Sequence, residues 1–135
     1  KAKAEALRRM NHHKPELFGY DIDPHAIDSV GLNAKNADMD REIHFACRDI
    51  SEFQFSGESA CVITNLPYGE RIGDKDTLDE LYRTFRNVLS PYEKFSKHIF
   101  TAHDHFQEIF GRADKKRKLY NGNIKCHFYN YFFRS

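Results

Sequence analysis

The segment Asn65-Leu66-Pro67-Tyr68 carries three groups that could act together on an amino group. The Asn65 amide oxygen and the Leu66 carbonyl oxygen can each accept one hydrogen of an exocyclic amine, while Tyr68 stacks on the planar base. The Leu66 carbonyl has a restricted direction because the residue before a proline stays extended. This combination suits direct in-line methylation of a nucleobase amine without a covalent enzyme intermediate. The simpler alternative is that Asn65 only forms a turn.

The residues in front of this segment indicate how it would be positioned. Residues 60–64 form a short apolar and β-branched run, which is typical of a buried strand. In open α/β sheets, ligands bind at the carboxyl ends of the strands. The sequence therefore predicts that Asn65 and its neighbours lie at a ligand-binding edge of a sheet.

A second predicted strand ends in a candidate nucleoside site. Residues 16–22 read as a strand that runs into Asp21-Ile22-Asp23-Pro24. The Asp21 carboxylate can accept both ribose hydroxyls of a nucleoside cofactor, and Ile22 can pack on its adenine. Asp23 is a favourable helix N-cap and Pro24 a favourable first helical residue, so the alternative is that both aspartates only begin the next helix.

Several strings resemble those of a known family. The segment from Asn65 resembles the (Asp/Asn/Ser)-Pro-Pro-(Tyr/Phe/Trp) motif of S-adenosylmethionine-dependent amino-methyltransferases, with Leu66 where proline is commoner. Leucine keeps the carbonyl but leaves φ less restricted. The longer strings Asn65 to Arg71 and Arg117 to Gly122 are similar to bacterial large-subunit ribosomal RNA guanine-N2 methyltransferases, whose relatives were often labelled adenine-specific DNA methylases. The resemblance covers nearly the whole chain.

This resemblance implies S-adenosylmethionine as the cofactor and ribosomal RNA as the substrate, with an RNA-recognition domain outside these residues. The catalytic residues that it implies are Asn65, Leu66, Pro67 and Tyr68. The cofactor-binding residues that it implies are Asp21, Ile22, Asp49 and Asn65. Asp49 resembles the family's acid that accepts the adenine amino group. The alternative for Asp49 is an ordinary loop aspartate.

The hydrophobic patterns predict an alternating order of elements. The predicted helices cover 1–12, 24–39, 78–89 and 104–110, and the predicted strands cover 16–22, 43–47, 60–64, 95–101, 116–120 and 125–133. Such alternation predicts an α/β fold, a mostly parallel sheet with helices on both faces. Asn121-Gly122-Asn123 predicts a C-terminal antiparallel hairpin, resembling the end of the class I (Rossmann-like) methyltransferase sheet. No Gly-rich cofactor loop precedes residue 13. We therefore expect residues 1–135 to be the C-terminal portion of a single methyltransferase domain that lacks its first, central strand, which strands 16–22 and 60–64 would flank.

The bulk composition narrows the class of protein. A chain of 135 residues with 40% hydrophobic residues fits one globular domain. The net charge of +1 is small for a wide RNA-binding surface, so RNA affinity must be local or supplied by another domain. The 3 widely spaced cysteines argue against a disulfide framework and a zinc site, and they indicate a reducing cytoplasm. No apolar run of about 18 residues predicts a membrane span.

Other conspicuous residues have competing interpretations. The candidates for nucleic-acid contact are Arg71, Lys115, Lys116, Arg117 and Lys118. Clustered cations bind phosphates, but the run from Arg112 to Lys118 could also be a solvated loop. The pairs His12-His13 and His103-Asp104-His105 lack a third ligand at a suitable spacing, so surface or capping roles are predicted and no metal site. The aromatic residues between 128 and 133 are predicted to belong to the core.

Three functions remain compatible with the sequence. Methylation of guanine N2 in large-subunit ribosomal RNA is favoured by the two longer strings. Adenine-N6 methylation of DNA or RNA is the alternative, because the four-residue segment serves either amine. The third function is a catalytically inactive piece that contributes only scaffold or RNA contact. The missing Gly-rich loop favours this third function, and the intact segment argues against it.

Overall fold

The computed structural model describes residues 15–68 and 75–133 together with 4, 5, 8 and 9; the side chain of Lys75 is excepted. The chain divides into two compact units, Lys1–Asp49 and Ile50–Ser135. Most of the predicted helix 1–12, the His12-His13 pair and Arg71 lie outside the described residues. No helix in the described ranges is long and apolar enough to cross a membrane.

The first unit is a parallel strand–helix–strand motif. Its elements are β1 (Leu17–Asp21), α1 (Pro24–Asn36) and β2 (Ile43–Cys47). The strands pair from Leu17 with Ile43 to Asp21 with Cys47. The helix supplies the crossover that a parallel pair needs. Gly19 lies opposite Phe45, and an added Cβ would meet a Phe45 ring carbon at 2.8 Å, so the absent side chain leaves room for the ring.

The helix α1 begins as predicted and ends earlier. Asp23 is its N-cap, whose side chain accepts a hydrogen bond from the His25 amide, and Pro24 is its first residue. The predicted end near Met39 is wrong because Asp38 adopts the left-handed conformation, with φ of 57°. The amide of Met39 then bonds the Ala34 carbonyl at 2.8 Å, which closes the helix in a Schellman arrangement.

The second unit contains a four-stranded mixed sheet. Its elements are β3 (Ala60–Asn65), α2 (Lys75–Leu89), β4 (Phe95–Thr101), α3 (Phe106–Phe110), β5 (Lys115–Asn121) and β6 (Ile124–Tyr131). The strand order is β3-β4-β6-β5. Strands β3 and β4 are parallel, whereas β6 runs antiparallel to both β4 and β5. The predicted α/β order with a terminal antiparallel hairpin is therefore confirmed. Among the described strands β1 and β3 belong to separate sheets, so they are not paired with each other.

The hairpin between β5 and β6 turns through Gly122 and Asn123. Asn121 pairs with Ile124 across the turn, and Gly122 has φ of 60°. Glycine at the first central position with positive φ fits a type II′ turn, whose twist matches that of antiparallel strands. The hairpin places β6 between β4 and β5, so β5 forms one edge of this sheet.

The core of the second unit lies between its sheet and the helices α2 and α3. It consists of Leu66, Tyr82, Phe85, Leu89, Ile99, Phe106 and Tyr129. The helical stripe predicted from residue 78 to residue 89 is confirmed, since Leu78, Tyr82, Phe85 and Leu89 are buried at helical spacing. Tyr129 confirms the predicted burial of the C-terminal aromatics. The prediction is wrong for Phe132 and Phe133, which follow the end of β6 and are 48% and 43% exposed.

Candidate functional site

The NLPY segment (Asn65-Leu66-Pro67-Tyr68) begins at the carboxyl end of β3. The strand continues to Asn65, one residue beyond its predicted end, and Asn65 pairs with Phe100 of β4. The next amide, that of Leu66, donates to the Phe100 carbonyl at 3.0 Å. Pairing with β4 therefore fixes the backbone up to the residue before the proline.

The Leu66 side chain anchors the segment in the core. Leu66 is 7% exposed and packs in the hydrophobic cluster of the second unit. Asn65, its neighbour, is exposed. Within the described residues, neither the side-chain amide of Asn65 nor the carbonyl oxygen of Leu66 has a hydrogen-bond partner. Leucine at this position thus supplies an apolar anchor while two acceptor oxygens stay available to a ligand.

A buried hydroxyl pair holds the Pro67 carbonyl. The Tyr82 hydroxyl, on the fully buried ring of α2, lies 2.6 Å from the Pro67 oxygen and 2.8 Å from Thr101 Oγ1. Thr101 Oγ1 also accepts a hydrogen bond from the His103 amide at 3.1 Å. Burial raises the pKa of Tyr82, so its hydroxyl stays protonated and donates to Pro67. The segment is therefore supported from the core side at Leu66 and at Pro67.

Histidine 103 belongs to the support of the segment and not to the surface. Its Nε2 lies 2.9 Å from Asp79 Oδ1, with the two side chains 10% and 18% exposed. Its ring stands edge-on to Tyr82 at 4.9 Å. The predicted surface or capping role is wrong for His103 because Tyr82 and Asp79, both on α2, contact its ring. His105, in contrast, is half-exposed just before α3 and contacts Glu108.

Tyr68 is held by residues from two other strands. Its ring stands edge-on to Phe100 with centroids 6.3 Å apart, and its hydroxyl accepts a hydrogen bond from Asn121 Nδ2 at 2.8 Å. Asn121 is 53 residues away in sequence, at the end of β5. The sequence predicts that Asn121 lies in a turn, at the end of a string that resembles the family, and predicts no function for its side chain. Only its position on the folded hairpin shows the contact.

The predicted cofactor carboxylates lie in the first unit, at the ends of two parallel strands. Asp21 ends β1, and Asp49 comes two residues after β2, so both follow the same edge of the parallel pair. Asp21 Oδ1 accepts the Asp23 amide at 2.9 Å, and the Asp21 carbonyl accepts the Arg48 amide at 2.9 Å. Ile22, which lies between Asp21 and Asp23 in the sequence, is 66% exposed. The loop after β1 therefore presents a carboxylate of fixed orientation beside an exposed apolar side chain.

Lys115 to Lys118 of the basic run lie on an edge strand and not in a solvated loop, whereas Arg112 precedes that strand. Lys115 to Lys118 belong to β5, where pairing with β6 makes alternate residues face opposite sides of the sheet. Lys116 and Lys118 share a face with His127 and Tyr129, whereas Lys115 and Arg117 share the other face with Phe128. Burial and the charges of Lys116 and Lys125 lower the pKa of His127. All four basic residues are exposed.

The second unit also contains a charged cleft, whose lining residue Asp79 contacts His103. This cleft, of about 390 Å³, is lined by Asp79, Arg83, Arg86, His105, Glu108 and Ile109. None of these residues belongs to the NLPY segment, and the charges are partly paired within the cleft, between Arg83 and Asp79 and between His105 and Glu108. No group of three metal-ligating side chains occurs within the described ranges.

Comparison with known proteins gives one family. The model of the family described as UPF0020, RMKL-like, methyltransferase domain, matches residues 1–130. The chain is 33% identical over 134 residues to YpsC of Bacillus subtilis strain 168, named as a candidate RNA methyltransferase, and covers 35% of it. It is 34% identical over 134 residues to ribosomal RNA large subunit methyltransferase K/L of Vibrio parahaemolyticus, of which it covers 19%.

Solved structures extend this similarity to the fold. SMU.472, a candidate methyltransferase complexed with SAH, matches 98% of the chain with a TM-score of 0.89 and 28% identity. A possible methylase from Clostridium difficile 630 matches 98% of the chain with a TM-score of 0.87 and 37% identity. A protein of Listeria monocytogenes described as a predicted N6-adenine-specific DNA methylase has a TM-score of 0.84 and 32% identity. The chain spans about a third of each of these structures, 36%, 36% and 34% of their lengths.

Proposed function

Because the chain belongs to the UPF0020 family of RMKL-like methyltransferase domains, we propose that it methylates an exocyclic amine of a nucleobase, most specifically guanine N2 of large-subunit ribosomal RNA. The observation that carries the proposal is the NLPY segment at the carboxyl end of β3. Pairing with β4, burial of Leu66 and the Tyr82 hydroxyl fix its backbone, while Asn65 is exposed. A rigid segment with two available acceptor oxygens suits a substrate amine.

The residues of the first unit fit S-adenosylmethionine as the donor. The Asp21 carboxylate is exposed at a strand end and oriented by the Asp23 amide, as a ligand for the two ribose hydroxyls requires. Ile22 offers exposed apolar surface to the adenine ring. The Asp49 carboxylate would accept a hydrogen bond from the adenine amino group. The SAH complex of SMU.472 supports this choice, since SAH is what remains of the donor after methyl transfer. When bound, S-adenosylmethionine supplies an electrophilic methyl group.

The NLPY segment would activate the amine by accepting hydrogen bonds from its two N–H groups. The Asn65 amide oxygen and the Leu66 carbonyl oxygen draw on the two N–H bonds, which keeps the nitrogen lone pair out of the ring's π system and available for attack. Neither acceptor has to move, since β4 and the core fix the backbone at this point. Tyr68 would hold the base by stacking after it leaves its helix.

The guanine substrate is the finer part of the proposal. The support for RNA is the naming of the relatives, among them large-subunit methyltransferase K/L. The support for guanine N2 is the pair of longer strings, Asn65 to Arg71 and Arg117 to Gly122. Adenine N6 is the second candidate, favoured by the similarity to a protein described as an N6-adenine-specific DNA methylase. Both amines offer two hydrogens to the same pair of oxygens.

The strand β5 would contribute phosphate contacts. Lys116 and Lys118 face one side of the sheet and Lys115 and Arg117 the other, so the four cations can contact separate stretches of backbone. With a net charge of only +1, such local contacts suit a domain that receives its RNA from a separate recognition domain. The curated relatives are longer than this chain, which supports that expectation. Arg71, outside the described residues, remains a further candidate.

The test of the mechanism is Asn65→Ala in the intact protein. We expect methyl transfer in a single turnover at saturating S-adenosylmethionine to fall about 10²- to 10³-fold, as for the loss of one oriented polar group. Asn87→Ala is the matched control, since Asn87 is an exposed asparagine of α2. Full single-turnover activity of the Asn65 variant would refute the role of the NLPY segment.

The test of the substrate is nucleoside mass spectrometry of cells that lack the gene. Ribosomal RNA and genomic DNA are digested and compared with those of the parent strain. We expect N2-methylguanosine to decrease in the large-subunit RNA and to return with the wild-type gene but not with the Asn65→Ala gene. Loss of N6-methyladenine from the DNA, with the ribosomal RNA unchanged, would replace guanine by adenine as the substrate.

A further inference from the structure

The hairpin of the second unit reaches the NLPY segment with the Asn121 side chain. Thr101, the last residue of β4, pairs with His127, so residues 124 to 126 of β6 and the turn extend past the end of β4. This is the edge at which β3 ends in Asn65, because β3 and β4 are parallel. The turn therefore lies at the carboxyl edge where the NLPY segment begins.

The register of the sheet also sets the face on which Asn121 lies. Asn65 pairs with Phe100, Phe100 with Phe128, and Phe128 with Arg117, so these residues share one face. Asn121 lies four positions beyond Arg117 on the same strand and therefore shares that face. The side-chain amide of Asn121 meets the Tyr68 hydroxyl there at 2.8 Å.

We propose that Asn121 is a positioning residue that fixes the Tyr68 ring for capture of the target base; the inference rests on the proposed function of the NLPY segment. The Tyr68 ring is half-buried, with Phe100 at its edge and the hydroxyl at its far end. A bond at the hydroxyl restricts both side-chain torsions of the tyrosine. A ring fixed in advance stacks on a base without a further loss of conformational entropy.

The contact between Asn121 and Tyr68 would also connect the base-binding residue to the strand that binds the RNA backbone. Asn121 is the last residue of β5, the strand that carries Lys115 to Lys118. A phosphate bound by β5 and a base stacked on Tyr68 would therefore be joined by one rigid hairpin. The glycine at position 122 permits the tight turn, because its φ of 60° is unfavourable for other residues.

The test is a double-mutant cycle of Asn121→Ala and Tyr68→Phe in the intact protein, with unmethylated large-subunit ribosomal RNA as the probe. Each variant removes the hydrogen bond from one side and keeps the aromatic ring. We expect each to lower kcat/KM for the RNA about 2- to 12-fold, the range for one ordinary hydrogen bond, through KM and with the cofactor affinity unchanged. The double variant should be no worse than either single variant.

Two further variants separate the hydrogen bond from other effects. Asn121→Asp replaces the amide donor by a carboxylate, to which the Tyr68 hydroxyl can donate in the reverse direction, so it should keep most of the kcat/KM that Asn121→Ala loses. Asn123→Ala changes the same residue type in the same exposed turn and leaves the hydrogen bond from Asn121 to Tyr68 in place, so it should be as active as the wild type. NMR of 13C-labelled tyrosine supplies a readout independent of activity, in which Asn121→Ala should increase the mobility of the Tyr68 ring.

The outcomes are distinct. An Asn121→Ala variant with wild-type kcat/KM, or a double variant whose loss is the product of the two single losses, overturns the inference. Unchanged Tyr68 ring mobility in Asn121→Ala overturns it as well. The proposed function fails by another result, full methyl transfer in Asn65→Ala. In that case the NMR measurement alone still decides whether Asn121 positions Tyr68.

Discussion

Removal of the Tyr82 hydroxyl tests whether the core fixes the NLPY segment. The ring of Tyr82 is fully buried in α2, and its hydroxyl contacts the Pro67 carbonyl at 2.6 Å and Thr101 Oγ1 at 2.8 Å. The variant Tyr82→Phe keeps the ring and its packing against Phe106 and His103. It therefore removes the two polar contacts and little else.

The expected loss of stability follows from these two contacts. Two intramolecular hydrogen bonds at about 0.5–1.5 kcal/mol each give about 1–3 kcal/mol. The Pro67 carbonyl would lose its partner in a partly buried position, so we expect the upper part of this range, about 2–3 kcal/mol. The segment should also lose its fixed position, which lowers kcat for methyl transfer about 10-fold or more, since small displacements of reacting groups are costly.

The measurement is urea unfolding of the intact protein, combined with single-turnover methyl transfer and calorimetry of S-adenosylmethionine binding. Tyr131→Phe is the matched control, because its hydroxyl donates to the Gly111 carbonyl at 2.8 Å and makes no hydrogen bond to the NLPY segment in the described residues. It loses one hydrogen bond instead of two, so the control should lose about 0.5–1.5 kcal/mol and keep its kcat. Cofactor affinity should stay constant in both variants, because neither Tyr82 nor Tyr131 is one of the predicted cofactor-binding residues.

Two results would refute this reasoning. The first is a free energy of unfolding for Tyr82→Phe within about 0.5 kcal/mol of the wild-type value, which is the usual effect of a surface substitution. It would show that the hydroxyl pair does not stabilise the protein. A variant that is destabilised as expected but has the wild-type kcat would show that the Pro67 carbonyl does not position the reactive residues.

Three further predictions concern the cofactor, the pH and the turn. Asp21→Ala should weaken S-adenosylmethionine binding by about 1.5–3 kcal/mol through loss of charge-assisted hydrogen bonds to the ribose, and unchanged affinity in calorimetry would contradict the assignment. Burial raises the pKa of Tyr131 above its ordinary value of 10.0, so the unfolded chain releases this proton first and stability falls as the pH rises above that value. The urea concentration at the unfolding midpoint, measured below and above this pH, should therefore fall less with rising pH in Tyr131→Phe than in the wild type. An equal fall in both proteins would refute the shift of the pKa. Gly122→Val should destabilise the protein by about 1–3 kcal/mol because φ is 60° there, whereas Gly122→Asn should cost clearly less; equal losses would exclude backbone strain as the cause.

Local patterns in the sequence determined most of the elements. The strands at 43–47 and 95–101 were predicted with their observed bounds, because β-branched and aromatic alternation is a short-range signal. The cap at Asp23 and the turn at Gly122 were predicted for the same reason, since each depends on a few adjacent residues. The end of α1 was not predicted, because the residue in the left-handed conformation is Asp38 and not glycine, the residue that usually indicates such a helix end.

The sequence by itself determined the residues that could do chemistry, and the tertiary structure decided what holds them. The residue types and order from Asn65 to Tyr68 are enough to indicate an amine-binding site. The contacts of that segment with Tyr82 and Asn121 join positions 15 and 53 residues apart, and a hydrogen bond over such a distance has no local signature. The strand order that inserts β6 between β4 and β5 brings the hairpin to the site, and it depends on which faces are buried together. The side-chain types therefore indicate the reaction, whereas packing determines how rigidly the reacting groups are held.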